Sequence, residues 1–180
     1  MTVLKLPPIK GFHTCSDLEQ TDVLDTLFEP SPVIHEKLLS VIRTAQYSSW
    51  DDLIDACQIR LLSLAASTST SSPDAELLNV LGSHPRLGEK KIESAHSASE
   101  QANIQKNQSV AEEEELAALN KQYEKTFPGL RYVVFVNGRG RPEIMEDMKS
   151  RIARGDYTKE VDAALQAMCD IAKDRASKLV

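Results

Sequence analysis

The chain has 180 residues, a formal net charge of -6 and 41% hydrophobic residues, the range of one globular domain with a sizeable core and not of a disordered tail. The acidic balance, with no basic face interleaved with aromatics, argues against nucleic acid as a partner. No apolar stretch approaches the roughly 20 residues that span a bilayer, and Met1 to Lys10 lacks the apolar segment of a secretory signal, so a soluble, cytoplasmic protein with no membrane partner is expected.

In chain order the dominant period is helical, and the expectation is an all-α, single multi-helix domain over 1–180. Ser16-Asp17-Leu18-Glu19 reads as a capping box opening a helix that buries Leu24, Leu27 and Phe28. Ser31 caps a second helix with Pro32 at its first position and a stripe of Ile34, Leu38, Val41 and Ile42. A third starts near Ser49 and carries Leu53, Cys57, Leu61 and Leu64. The run Ser67 to Ser72 is all serine and threonine, which predicts an exposed loop. Pro73 and Asp74 start a short helix through Leu77, Leu78 and Leu81, with Gly82 at its C-terminal cap.

The next helix is expected near Ser97, which puts Glu100 and Gln101 in its first turn, where free N–H groups favour negative charge. Ser109 opens a longer helix whose run Glu112 to Glu115 is a solvated first turn and whose apolar face carries Leu116, Leu119, Tyr123 and Phe127. Tyr132-Val133-Val134-Phe135-Val136 is β-branched and aromatic and precedes Asn137-Gly138, a pattern that predicts a short extended strand and a turn. Gly138-Arg139-Gly140-Arg141 is too short for a phosphate-cradling loop, so its glycines are turn formers. Pro142 begins a helix with Ile144, Met145, Met148 and Ile152 inward and Gly155 as its stop. The last helix buries Val161, Leu165, Met168 and Ala172, and the same spacing puts Arg175 on or beside that stripe.

The candidate chemistry sits at His84 and Glu100. Pro85 stiffens a turn just past a helix end and restricts the residue before it, which fixes where the imidazole points. A carboxylate near such a ring can orient it, tune it or share its proton. Against this stands the plain alternative that Ser97 and Glu100 form a capping box. Arg175 has two readings as well: a snorkelling stem with its head in water, or a planar fork that reaches an interior anion. Cys15, Cys57 and Cys169 are odd in number and widely spaced, which suits reduced thiols better than a disulfide framework or zinc site. No two histidines have the paired spacing of metal ligands on one helix, so no metal site is expected.

Leu27-Phe28-Glu29-Pro30-Ser31-Pro32, His84-Pro85-Arg86-Leu87-Gly88-Glu89, Ser97 to Gln101, Leu119-Asn120-Lys121-Gln122-Tyr123-Glu124-Lys125-Thr126-Phe127, the apolar run ending in Asn137-Gly138-Arg139, and a final helix with Arg175 follow one another along the chain. In this order they resemble the OHCU decarboxylase family, cofactor-free enzymes that convert 2-oxo-4-hydroxy-4-carboxy-5-ureidoimidazoline to S-allantoin in urate breakdown. The resemblance implies His84 and Glu100 as catalytic residues. It implies Pro85, Ser97, Ala98, Ser99 and Gln101 as substrate-binding, with Tyr132, Val133, Val134, Phe135 and Val136 as an extended binding segment and Arg175 as a substrate-binding arginine. It also implies a homodimer and no cofactor. This chain departs from the family by placing Gly129-Leu130-Arg131 between Phe127-Pro128 and Tyr132, where many members read Phe-Pro-Phe, and by carrying Arg86 in place of an acidic residue.

The competing reading is a non-catalytic helical interaction module, which would keep the stripes and caps but owe nothing to His84, Glu100 and Arg175 together. Ser177-Lys178-Leu179 resembles a peroxisomal address, but Val180 follows it and such signals are read at a free C-terminus, so cytosol is favoured over peroxisome.

Overall fold

The computed structural model describes residues 5–66, 74–88, 95–105 and 109–180, with backbone alone for 103–105. Among them are eight α-helices and a 3-10 turn at Phe12–Thr14. Helix α1 (Asp17–Phe28) starts where the Ser16 hydroxyl accepts from the Glu19 amide while the Glu19 carboxylate accepts from the Ser16 backbone, two orphan donors satisfied reciprocally. Helix α2 (Pro32–Thr44) is capped by Ser31 and uses Pro32 in its first turn, where a missing N–H costs nothing. Helix α3 (Trp50–Ala66) follows Ser49, whose hydroxyl accepts from the Asp52 amide at 3.1 Å.

The serine and threonine run 67–72, and Pro73 after it, lie outside the described residues. Asp74 caps α4 (Ala75–Leu81), and Gly82 closes it. Helix α5 (Ala95–Gln105) begins two residues before Ser97. Glu100 is therefore its sixth residue, past the first turn in which free N–H groups would have favoured its charge. Ser109 and Glu112 repeat the reciprocal cap at α6 (Val110–Thr126). Helix α7 (Arg141–Arg154) stops at Gly155, whose φ of 62° would cost a residue with a β-carbon roughly 1–2 kcal/mol. Asp156 then caps α8 (Tyr157–Leu179).

The predicted stripes point inward. Leu24, Leu27, Phe28, Ile34, Leu38, Ile42, Leu53, Leu61 and Leu165 are all buried in one contiguous apolar core, whereas Val41, Leu64 and Ile152 are only partly covered. Truncating a fully buried leucine such as Leu38 to alanine is expected to cost roughly 2–5 kcal/mol. Helix α8 is the central element, packed along α1 and α3; α2 packs on both of these, and α6 packs on α7. Cys57 and Cys169 are buried and all three thiols are free; burial pushes both buried thiols up, Cys169 to about 12, so they act as small apolar residues. No helix among the described residues is long and apolar enough to cross a membrane.

Two elements depart from the helical pattern. Helix α5 contributes nothing to the apolar core among its described side chains; its buried positions are Ser97 and Gln101. The segment 132–136, whose composition predicts a strand, has no strand beside it among the described residues. A β-rich run needs a ladder partner, and here its carbonyls go to side chains and to the following turn instead. Arg151 Nη1 donates to Val133 O at 3.3 Å and Arg139 Nε to Val136 O at 3.2 Å. The predicted turn does form, with positive φ at Asn137 and Gly138.

Candidate active site

The turn after α4 carries His84 and is held from three sides. Arg131 Nη1 donates to Gly82 O at 3.2 Å, and Asn120 Nδ2 donates from α6 to Leu87 O at 3.0 Å. The Gly88 amide donates to Gln101 Oε1 at 2.9 Å, which fastens the turn to α5. Gly88 has a φ of 78°, which favours glycine at that place, and a β-carbon there would also displace the Leu116 Cδ2 methyl, 2.6 Å away. Arg86 turns away to Glu124, with Nε 2.6 Å from Oε1, and does not reach the cavity described next.

That cavity, of about 220 Å³, is walled by four segments. The turn supplies His84, Pro85 and Leu87; α5 supplies Ser97, Ser99, Glu100 and Gln101; Tyr132 to Gly138 form the third wall; α8 supplies Ile171, Asp174 and Lys178. Thus the structure brings together His84, Glu100, Pro85, Ser97, Ser99, Gln101, Tyr132, Val133, Val134, Phe135 and Val136. Ala98 and Arg175 stand off the wall.

Arg175 is 2% exposed, which removes the snorkelling reading. The anion it reaches is the protein's own, and every guanidinium nitrogen has a protein acceptor. Nε and Nη2 grip both oxygens of Glu100 at 2.7 and 2.9 Å, Nη2 also meets Glu29 Oε1 at 2.6 Å, and Nη1 donates to Thr26 O at 3.0 Å. Ser97 is not a cap either. Its hydroxyl donates to Glu29 Oε1 at 2.7 Å and accepts from Arg175 Nη2 at 3.1 Å. Arg175 therefore stands directly behind the cavity wall, with Glu100 between it and the cavity.

His84 differs from these paired groups. It is 4% exposed, and neither ring nitrogen meets a hydrogen-bond partner among the described residues. Burial first and the Arg175 cation second push its pKa down to about 4, with Glu29 opposing them. A neutral imidazole therefore lies in the cavity wall at pH 7. For Glu29 burial pushes the carboxyl up, but Arg175 and the bonds from Ser97 and Arg175 outweigh it and hold it below the usual range. Among the described residues no group of three or more His, Cys, Asp or Glu side chains is placed to hold a metal ion.

Sequence reasoning passed over Asp174, Lys178 and Ile171, although their spacing puts them on the face of α8 that carries Arg175. It also gave Glu29 no role of its own.

Comparison with known proteins fits this geometry. The family model described as OHCU decarboxylase matches residues 13–177. No curated protein matches the sequence significantly. Two similar solved structures are a crystal structure of (S)-allantoin synthase, at 18% identity and TM-score 0.64, and one of OHCU decarboxylase in the presence of (S)-allantoin, at 19% identity and TM-score 0.63. The first match covers 96% of this chain and 54% of the other, the second 92% and 98%. The chain thus spans about half the length of the (S)-allantoin synthase chain, and the shared feature at this identity is the fold.

Proposed function

The chain belongs to the OHCU decarboxylase family, and from that premise we propose that it decarboxylates 2-oxo-4-hydroxy-4-carboxy-5-ureidoimidazoline (OHCU) to (S)-allantoin in urate degradation, without a cofactor. The observation that carries this reading is His84: a buried imidazole whose two nitrogens have no hydrogen-bond partner among the described residues, facing the same small cavity as Glu100.

In OHCU the bond to the carboxylate lies beside a ring C=N unit. As carbon dioxide leaves, the electron pair of that bond passes into the C=N unit, whose nitrogen takes a proton. The enol so formed gives up its hydroxyl proton and receives one at carbon, which yields the carbonyl of allantoin. Carbon dioxide departs without a proton, so each turnover takes one from solvent. Neutral His84 accepts the hydroxyl proton and returns one to carbon, and delivery to one face makes a single enantiomer. Glu100, gripped by Arg175, orients the reacting groups at the wall. Pro85, Ser97, Ser99, Gln101 and the backbone of 132–136 fix the ring, while Arg175 holds Ser97 from behind. Contacts of this kind accelerate the step when they favour the developing enol over the bound carboxylate.

The test is to add purified protein to freshly generated OHCU and follow optical activity. Rapid appearance of (S)-allantoin with release of carbon dioxide supports the reading; racemic product at the spontaneous rate removes it. We propose further that the protein is a homodimer, to be checked by light scattering. We also assign it to the cytosol. Ser177-Lys178-Leu179 is built into the end of α8, where the Leu179 carbonyl accepts from the Leu6 amide at 2.7 Å. A fluorescent fusion ahead of this tail is expected to give diffuse signal, and puncta that vanish on removing the tail would overturn that assignment.

A further inference from the structure

Glu29 combines two costs in one residue. Its carboxylate is buried, with a side chain 4% exposed, and a buried ion pair is a poor source of net stability because desolvation consumes the Coulombic gain. Its backbone lies at φ 72° and ψ 151°. Pro30 next in the chain disfavours the helical value of ψ, but the positive φ with a side chain present costs about 1–3 kcal/mol and persists only where surroundings impose it. Such costs concentrate at functional sites, and this one lies directly behind the cavity.

We propose that Glu29 is a positioning residue for the decarboxylation: with Ser97 it holds the Arg175 guanidinium at Nη2, the nitrogen that also meets Glu100, so that Arg175 keeps the Glu100 carboxylate in place at the cavity wall. The geometry is a short chain of contacts. Ser97 donates to Glu29 Oε1, Arg175 Nη2 reaches Glu29, Ser97 and Glu100, and both Glu100 oxygens are engaged. One guanidinium between two carboxylates has a single orientation that satisfies both, and its planar fork transmits that orientation to Glu100. Without Glu29 the guanidinium keeps Glu100, Ser97 and the Thr26 carbonyl but loses its second anionic anchor, so the Arg175–Glu100 pair is held less tightly.

The groups that face His84 also bear on its charge. They are Glu29 after α1, Glu100 on α5, and Arg175, Asp174 and Lys178 on α8, with Arg131 bound to the nearby Gly82 carbonyl. Glu29 is the carboxylate that favours the protonated ring, so its charge assists His84 at the moment it holds the substrate's proton.

This inference rests on the proposed decarboxylation, and its test separates the two. Glu29→Gln keeps the shape and removes the charge. In folded Glu29→Gln protein kcat is expected to fall roughly 10- to 100-fold, the penalty for lost orientation, with KM changed less than about threefold. The acid limb of its pH profile is expected to move to lower pH, because His84 loses a charge that favours its protonation. Independently of any substrate, 15N relaxation at the Arg175 Nε is expected to show a rigid side chain in the wild type and a mobile one in the variant. Wild-type kcat and acid limb together with a rigid Arg175 in Glu29→Gln would overturn the proposal. If the wild-type protein leaves OHCU untouched, the proposed function fails, yet the relaxation measurement still decides whether Glu29 holds Arg175. Should Glu29→Gln not fold, Glu29→Asp keeps the charge but shortens the reach; lowered kcat with a mobile Arg175 supports the role, and wild-type values for both reject it.

Discussion

At the scale of single residues, burial makes His84 an uncharged base, and two outcomes follow. His84→Gln is expected to lower turnover by roughly two to four powers of ten, the usual share of general acid/base catalysis, and Glu100→Gln by a similar or smaller factor. The double variant is expected to lose less than the product of the two, because either removal already disables one proton path. Steady-state rates with a melting midpoint for each variant check this, and wild-type turnover in folded His84→Gln protein would remove the histidine from the mechanism. The second outcome concerns stability. The unfolded ring takes a proton near 6.5, but the folded one only near 4, so the unfolded state binds more protons between those values. Stability contributed by keeping His84 neutral is whole above 6.5 and drains by roughly 3 kcal/mol as pH falls to 4. Glu29, depressed below 4.5, loses its contribution only at lower pH. Urea melts from pH 7 to 4 are expected to show that slope in the wild type and a flatter one in His84→Gln. His84 and Glu100 were legible through the order of short motifs that resembles a known family, since the local pattern alone reads equally as a turn and a helix cap. Glu29 and the true partners of Arg175 were not, since pairings across 146 and 75 positions leave no mark in a local pattern.

At the scale of elements, caps and stripes were legible almost throughout, because serine hydroxyls and apolar periods act within a turn or two. The β-rich run 132–136 is the one extended segment expected in an otherwise helical domain, but its composition alone suggested a paired strand; it suits a half-buried surface, and here that surface is a cavity wall braced by a helix instead of a neighbouring strand. Arg151 of α7 is the brace. Its guanidinium lies 5.0 Å from the Tyr132 ring centroid, donates to Val133 O and pairs with Asp147 at 3.0 Å. Asp147 in turn accepts from the Tyr132 hydroxyl. Arg154 and the Tyr123 hydroxyl complete the network at Glu160, which is fully buried and lies 3.7 Å from Arg151. Arg151→Met is expected to destabilise the fold by roughly 3 kcal/mol or more, because it strips a cation from buried and half-buried carboxylates. Because the wall shifts while His84 and Glu100 stay, KM is expected to rise more than kcat falls; unchanged KM alongside the lowered melting point would mean that Arg151 supports the helices and not the wall.

At the scale of the whole molecule, the sequence pattern announced a helical domain but not which helix lies at its centre, since the partners of α8 are chosen by long-range packing. Arg175 makes that placement consequential, because it bonds residues 26 and 29 near the chain's beginning and residues 97 and 100 in its middle. Helices form locally and early, whereas contacts across such spans must wait for loop closure. The Glu100 carboxylate therefore acquires its orientation only when the last helix has docked against the first. In a refolding jump, far-UV ellipticity is expected to recover ahead of allantoin-forming activity, and coincident recovery would show that α8 docks as fast as the helices form. The site thus has a birth order: a chain still emerging from the ribosome carries His84 and Glu100 before it carries the arginine that, in the folded protein, holds the Glu100 carboxylate.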